Sequence, residues 1–141
     1  MNLSNRHLRF GWWSLLAYLT LGIGLETLHG FKLSWYLGVG HEMRRLMLTL
    51  AHAHGTLLAL VNLAAGLTAR LVNGFALSRS ASHALIGSAV LLPVGFLLGG
   101  FTTYGGDPGL GILLVPLGAI LLLYGVGRIA WGLKTDSPRS H

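Results

Sequence analysis

Apolar residues occur in four long runs along the chain, separated by short polar or glycine-rich connections. Three charge-free stretches, residues 46–69, 80–106 and 108–127, each reach the roughly 20 residues that an α-helix needs to cross the hydrocarbon of a bilayer. A fourth run lies near the amino terminus, at residues 10–25. The pattern predicts an all-α fold, an integral membrane bundle of four antiparallel helices that forms a single domain over residues 1–141.

The connections place the helices at about 10–29, 43–71, 82–104 and 109–133. The turn is clearest at 105–109, where the sequence GGDPG forces the last two helices into a hairpin. The first run follows two arginines, as a signal peptide does, and Gly22 and Gly24 are small residues of the kind a cleavage site needs. The helical pattern nevertheless continues through residues 26–28. We therefore expect the first helix to be retained as a membrane anchor.

Composition supports the membrane prediction. Hydrophobic residues make up 52% of the 141 residues and charged residues 10%, against roughly 25% charged residues in a soluble domain. The net charge is +6, but the basic residues are spread over the helix ends and form no continuous stripe, so lipid is the expected partner and nucleic acid is not. The absence of cysteine excludes disulfides and thiolate metal sites.

Basic residues also predict the orientation. If the amino terminus is cytoplasmic, that side of the membrane holds seven of them and the far side holds three. The seven are Arg6, Arg9, Arg70, Arg79, Arg128, Lys134 and Arg139, and the three are Lys32, Arg44 and Arg45. The positive-inside rule then predicts a multi-pass protein of a bacterial-type cytoplasmic (inner) membrane, with both termini in the cytoplasm.

Small residues recur at helical spacing in three of the predicted helices. Glycines stand every seven residues in the fourth, at 111, 118, 125 and 132, and four residues apart in the third, at 95 and 99. The second helix has small residues at 51, 55 and 59. Such faces let membrane helices approach closely. They also suit a non-catalytic subunit or scaffold that packs into a homo-oligomer or a larger membrane complex.

Ionisable residues within the hydrocarbon are costly, so each is a candidate site. Glu26 and His29 lie near the end of the first helix, and His52 and His54 lie near the start of the second. In the predicted topology all four fall toward the non-cytoplasmic face. His52 and His54 point to nearly opposite sides of their helix, because two residues advance about 200°. We therefore expect Glu26 or His29 to meet one of these two histidines.

Imidazoles with a carboxylate suit zinc, iron or copper, and two imidazoles from facing helices suit a haem iron. The predicted haem-binding residues are His29, His52 and His54, and the predicted metal ligands are these three with Glu26. The alternatives are that His52 and His54 only hydrogen-bond a neighbouring carbonyl, and that Glu26 only pairs with Lys32 or Arg44. A third alternative is a small proton- or cation-coupled transporter that uses Glu26.

The remaining polar residues carry less. We expect His7, His83 and His141 at the surface near the cytoplasmic side, and Asn62 in a hydrogen bond between helices. The chain has no Gly-x-Ser-x-Gly elbow, phosphate-binding glycine loop or His-Glu-x-x-His motif. No catalytic residue is assigned.

The segment Leu-Ala-His-Ala-His-Gly at residues 50–55 opens a helix after the predicted outer loop. It resembles the His-x-His helix starts of haem-copper oxidase subunit I relatives and of related small four-helix bacterial membrane proteins. The resemblance covers the first two helices at most and implies that His52 and His54 bind haem or copper. The chain lacks the other helices and ligands of an oxidase core, so oxygen reduction is not implied. The sequence therefore predicts a membrane protein that binds a metal ion or haem near its non-cytoplasmic face.

Overall fold

The computed structural model describes residues 2–135, and within that range the chain is all-helical, with no strand. The helices are α1 (Leu3–Gly30), α2 (Ser34–Leu37), α3 (Glu42–Leu71), α4 (Arg79–Phe101) and α5 (Leu114–Thr135), with a 3-10 helix (Leu110–Leu113) leading into α5. Four of them, counting the 3-10 helix with α5, are long and apolar enough to cross a membrane.

Helix α1 begins at Leu3, not near residue 10. The side chain of Asn2 caps it by accepting the backbone N–H of Ser4 at 3.2 Å. Ser4, His7 and Gly11 are all buried, and their spacing puts them on one face of the helix. The polar first turns of α1 are therefore part of the packed structure and bring His7 into the interior.

The connection between α1 and α3 folds back onto the helices. Its one-turn helix α2 buries Tyr36, which packs in an apolar cluster with Leu25 of α1 and Leu48 of α3. Lys32 adopts a left-handed conformation with a φ of 49° at the turn after α1. The connection thereby covers part of the adjoining ends of α1 and α3.

Two glycines, Gly105 and Gly106, form the turn between α4 and α5. Tyr104 and Asp107 exchange two backbone hydrogen bonds of 3.0 and 2.9 Å. Between them Gly105 and Gly106 have φ values of 55° and 94°, the pattern of a type I′ turn, which glycine adopts without a steric penalty. Pro108 follows, and regular α-helix resumes only at Leu114.

Glycines mark the closest approaches between α1 and α3. A Cβ on Gly11 would lie 2.7 Å from the side chain of Leu63, and one on Gly55 would overlap the ring of Tyr18. A glycine on each helix, Gly11 of α1 and Gly55 of α3, therefore allows the two helices to pack closely.

The glycine face of α5 packs against the preceding part of the chain. A Cβ on Gly118 would lie 2.9 Å from Leu92, and one on Gly125 would lie 2.8 Å from Leu85. A Cβ on Gly132 would lie 2.8 Å from the ring of Phe75. Most of the partner for this face is therefore α4 of the same chain. Helix α4 is the most buried of the four long helices, whereas α1 and α5 expose much of their apolar surface.

Candidate functional site

His52 links α3 to α1. Its Nδ1 lies 2.8 Å from the carbonyl oxygen of Tyr18, and because a carbonyl only accepts, Nδ1 must carry the proton. The ring rests against Gly22, where any Cβ would overlap it. In the neutral ring the lone pair is then on Nε2, the tautomer in which histidines commonly bind metals.

A groove of about 470 Å³ runs between α1 and α3 beside this imidazole. Glu26, His29 and His52 all line it, together with several apolar side chains, the ring of Tyr36 and the hydroxyl of Thr49. The other lining residues are Leu19, Gly22, Ile23, Leu25, Tyr36 and Thr49. The structure therefore brings three of the four predicted site residues around one cavity.

A second cavity, of about 560 Å³, adjoins the groove at His29. Lys32 and Ser34 line it with residues at the two ends of the α1–α3 connection. Near the α1–α3 connection, the groove and the second cavity are thus lined by the ammonium group of Lys32, the hydroxyl of Ser34 and the imidazole of His29.

His54 lies outside the groove. Its Nδ1 donates to the carbonyl oxygen of Leu50, one turn back in α3, at 2.9 Å. Its ring packs against Phe96 of α4, with the ring centroids 4.8 Å apart. The two histidines of the motif therefore serve different interfaces, His52 toward α1 and His54 toward α4.

Residues 2–135 contain no group of three or more His, Cys, Asp or Glu side chains that could hold a metal ion. A metal ion coordinated entirely by Glu26, His29, His52 and His54 is therefore not supported. The groove gathers ligand types, but it does not supply a closed coordination sphere of side chains.

Arg44 ties the α1–α3 connection to the end of α4. Its guanidinium donates to the carbonyl oxygens of Trp35, at 2.9 Å, and Gly100, at 3.4 Å. It also lies 4.6 Å from the centre of the Trp35 ring, a cation–π distance. The arginine thus has partners other than the predicted one, Glu26.

The main polar cluster of the interior was not expected from the sequence. His7, Asn62 and Ser82 are all 0% exposed, so the prediction of a surface position for His7 is wrong. His7 Nδ1 lies 2.8 Å from Asn62 Oδ1, and His7 Nε2 lies 2.8 Å from Ser82 Oγ. The cluster joins α1, α3 and α4. His83 is exposed, as predicted, and His141 lies outside the described residues.

Asn62 fixes the direction of these bonds. Its Nδ2 donates to the carbonyl oxygens of Leu58, at 2.9 Å, and Leu85, at 3.4 Å, so its Oδ1 faces His7 as an acceptor. The predicted interhelical hydrogen bond of Asn62 is confirmed. The burial of His7 could have been inferred from the spacing of residues 4, 7 and 11, which places them on one helical face. A prediction based on hydropathy overlooks this face because Ser4 and His7 are polar.

The order Ser82, His7, Asn62 has the hydrogen-bond pattern of a nucleophile, base and orienting group. Their complete burial keeps substrate away from the Ser82 hydroxyl. The cluster therefore serves the packing of three helices and not catalysis in this conformation.

Comparisons with protein-family models, curated proteins and solved structures find no match to this chain. The class is therefore defined by the fold itself, a helical bundle with four helices able to cross a membrane. The candidate site is the groove beside His52.

Proposed function

We propose that the chain is an integral membrane protein of four antiparallel helices that binds haem in the groove between α1 and α3, with His52 as an axial ligand. The observation that carries this proposal is the bond from His52 Nδ1 to Tyr18, which leaves Nε2 as the metal-binding nitrogen beside a cavity of about 470 Å³.

The exposed surface supports insertion into a bilayer. Large apolar side chains on the outer faces of α1 and α5 are mostly accessible, among them Trp12, Trp13, Ile120, Leu123 and Trp131. Water would make such a surface a strong driver of association, whereas lipid tails solvate it. The distribution of basic residues supports a location of both chain ends on the cytoplasmic side, which puts the groove near the opposite face.

Haem suits the groove better than a bare metal ion. A porphyrin supplies four nitrogen ligands of its own, so the protein needs to add only one or two axial ligands. A single imidazole such as His52 is then sufficient, and the lack of a three-ligand cluster within residues 2–135 is no obstacle. The apolar wall formed by Leu19, Ile23 and Leu25 suits the face of a macrocycle, and the volume lies within the range of small-molecule sites.

His29 and Lys32 have a different role in this proposal. His29 lies seven residues beyond Gly22, the neighbour of His52, which is about 10 Å along a helix. The bond to Tyr18 fixes the tautomer of His52, so we assign the axial role to that residue. His29 and Lys32 instead offer cationic or hydrogen-bonding partners for the carboxylate edge of the porphyrin.

The test is haem binding by the purified protein in detergent. Titration with haemin should give a Soret band at one haem per chain, and His52→Ala should abolish it. His54→Ala is the matched control, because His54 is in the same motif but packs on Phe96 outside the groove. Full binding by His52→Ala would reject the axial assignment, and no Soret band from the unaltered protein would reject haem and favour the scaffold alternative.

A further inference from the structure

The His7–Asn62–Ser82 cluster has a chemistry that the haem site does not use. We infer that it is a proton-sensitive lock. It holds the first turns of α1 against α3 and α4 while His7 is neutral, and protonation of His7 releases them. His7 lies 15 residues before Gly22, about 22 Å along α1. The lock is therefore remote from the proposed haem site, and each can be tested independently of the other.

The neutral ring satisfies every partner. Asn62 Oδ1 accepts, so His7 Nδ1 donates to it, and the neutral Nε2 then accepts from the hydroxyl of Ser82. The amide nitrogen of Asn62 is also paired with carbonyl oxygens. A fully satisfied network of this kind specifies one packing arrangement.

A proton on Nε2 removes that balance. Nε2 becomes a donor, the Ser82 hydroxyl must turn to accept from it, and a full positive charge lies among residues with no exposure. Burying an unpaired charge is costly. The folded arrangement is therefore compatible with neutral His7 and opposed to charged His7.

Within residues 2–135, no carboxylate lies near His7 to offset the charge. Among the described residues the carboxylates are Glu26, Glu42 and Asp107, which lie at the ends of their helices remote from His7 or in the α4–α5 turn. The charged or titratable groups at the His7 end of α1, α3 and α4 are all basic: Arg6 and Arg9, Arg70, and Arg79 with His83. They add repulsion to the cost of burial.

The parts that would move are the first turns of α1. Ser4 Oγ donates to the carbonyl oxygen of Gly66 at 2.9 Å, and Leu8 lies against the same glycine. A cavity of about 250 Å³ reaches Ser4 from the region of Phe75 and Leu77. It gives water a way to the start of α1, within one helical turn of His7.

The chain contains no cysteine, so a single introduced thiol reports on the lock. Ser4→Cys places the reporter at a buried position on α1, and Asn5→Cys places a reference at the adjacent exposed position. Maleimide labelling of each is measured in detergent at pH 7.5 and pH 5.5. The ratio of the two rates removes the effect of pH on thiol reactivity.

The ratio should rise about tenfold at the lower pH, because the released state takes up one proton with the ordinary affinity of histidine, near pH 6.5. His7→Gln, which cannot titrate, should abolish the rise. His83→Gln removes an exposed histidine that follows Ser82 in α4, and it should leave the rise intact. A ratio that does not change with pH, or that rises equally in His7→Gln, would overturn the proposal.

A second measurement covers the case in which Ser4→Cys does not fold. Thermal unfolding of the otherwise unaltered protein in detergent should show a midpoint that falls between pH 7.5 and pH 5.5. The fall should be much smaller in His7→Gln and unchanged in His83→Gln. An equal fall in all three proteins would assign the pH dependence to other groups and reject the lock.

Discussion

His7 and Asn62 are 55 residues apart in the chain, yet His7 Nδ1 and Asn62 Oδ1 lie 2.8 Å apart in the interior. Both side chains are completely buried. The bond connects the start of α1 with the second half of α3, and Ser82 extends it to α4. Three helices that contact one another mostly through small and apolar residues are thus joined by one buried cluster of hydrogen-bonded side chains.

Removing Asn62 should weaken the fold. Asn62→Ala leaves the His7 N–H buried without an acceptor, so the free energy of unfolding should fall by about 1–3 kcal/mol. Unfolding in detergent, followed by circular dichroism as denaturant is added, measures the change. Asn73→Ala, in the exposed connection before α4, is the control and should have little effect. Equal stabilities of the two variants would show that the buried bond contributes nothing.

Two glycines of α1 should respond in opposite ways to the same substitution. Gly22→Ala puts a methyl group into the ring of His52, whereas Gly24 has open space around its Cβ position. Gly22→Ala should therefore displace the imidazole and lower haem affinity at least about tenfold, equivalent to about 1.4 kcal/mol. Gly24→Ala should retain affinity and gain up to about 1 kcal/mol of helix propensity. Haemin titration of both variants decides, and equal affinities would contradict the role of Gly22.

The face of α5 that packs on α4 offers a similar pair. Gly125→Val would force a branched side chain against Leu85, at a position where even a Cβ would be only 2.8 Å away. We expect a loss of about 1–3 kcal/mol of stability from such overpacking. Gly127→Val is the control, because nothing lies within 4 Å of its Cβ position. Unfolding midpoints in detergent measure the difference. Equal midpoints for the two variants would contradict the close packing of Gly125 against α4.

The proposed orientation predicts which connections reagents reach from outside. Asp107→Cys, in the α4–α5 turn, should react in intact cells with a maleimide that does not cross membranes. Asn73→Cys, between α3 and α4, should react only after the membrane is opened. The chain has no other thiol to interfere. The reverse pattern would invert the topology and move the groove to the cytoplasmic side.

Parts of the candidate site followed from the sequence and parts did not. Helical geometry alone predicted that His52 and His54 face different ways, and the structure sends one to Tyr18 and the other to Phe96. Which of them joins Glu26 and His29 depended on how α1 packs against α3, and that is a property of the fold. His7 was assigned to the surface because the start of α1 is polar, and hydropathy does not register that polar groups can satisfy one another.

The four long apolar helices could be predicted from the amino-acid pattern, because uninterrupted hydrophobic length and glycine-rich breaks are local properties of the chain. The position of the glycine face on α5 could also be predicted, because residues at a seven-residue spacing fall on one side of any helix. The contacts that each side chain makes with other helices could not be predicted in this way. The contact of His52 with Gly22 and the burial of His7 between Asn62 and Ser82 arise from distant segments that meet, and no local pattern records such meetings.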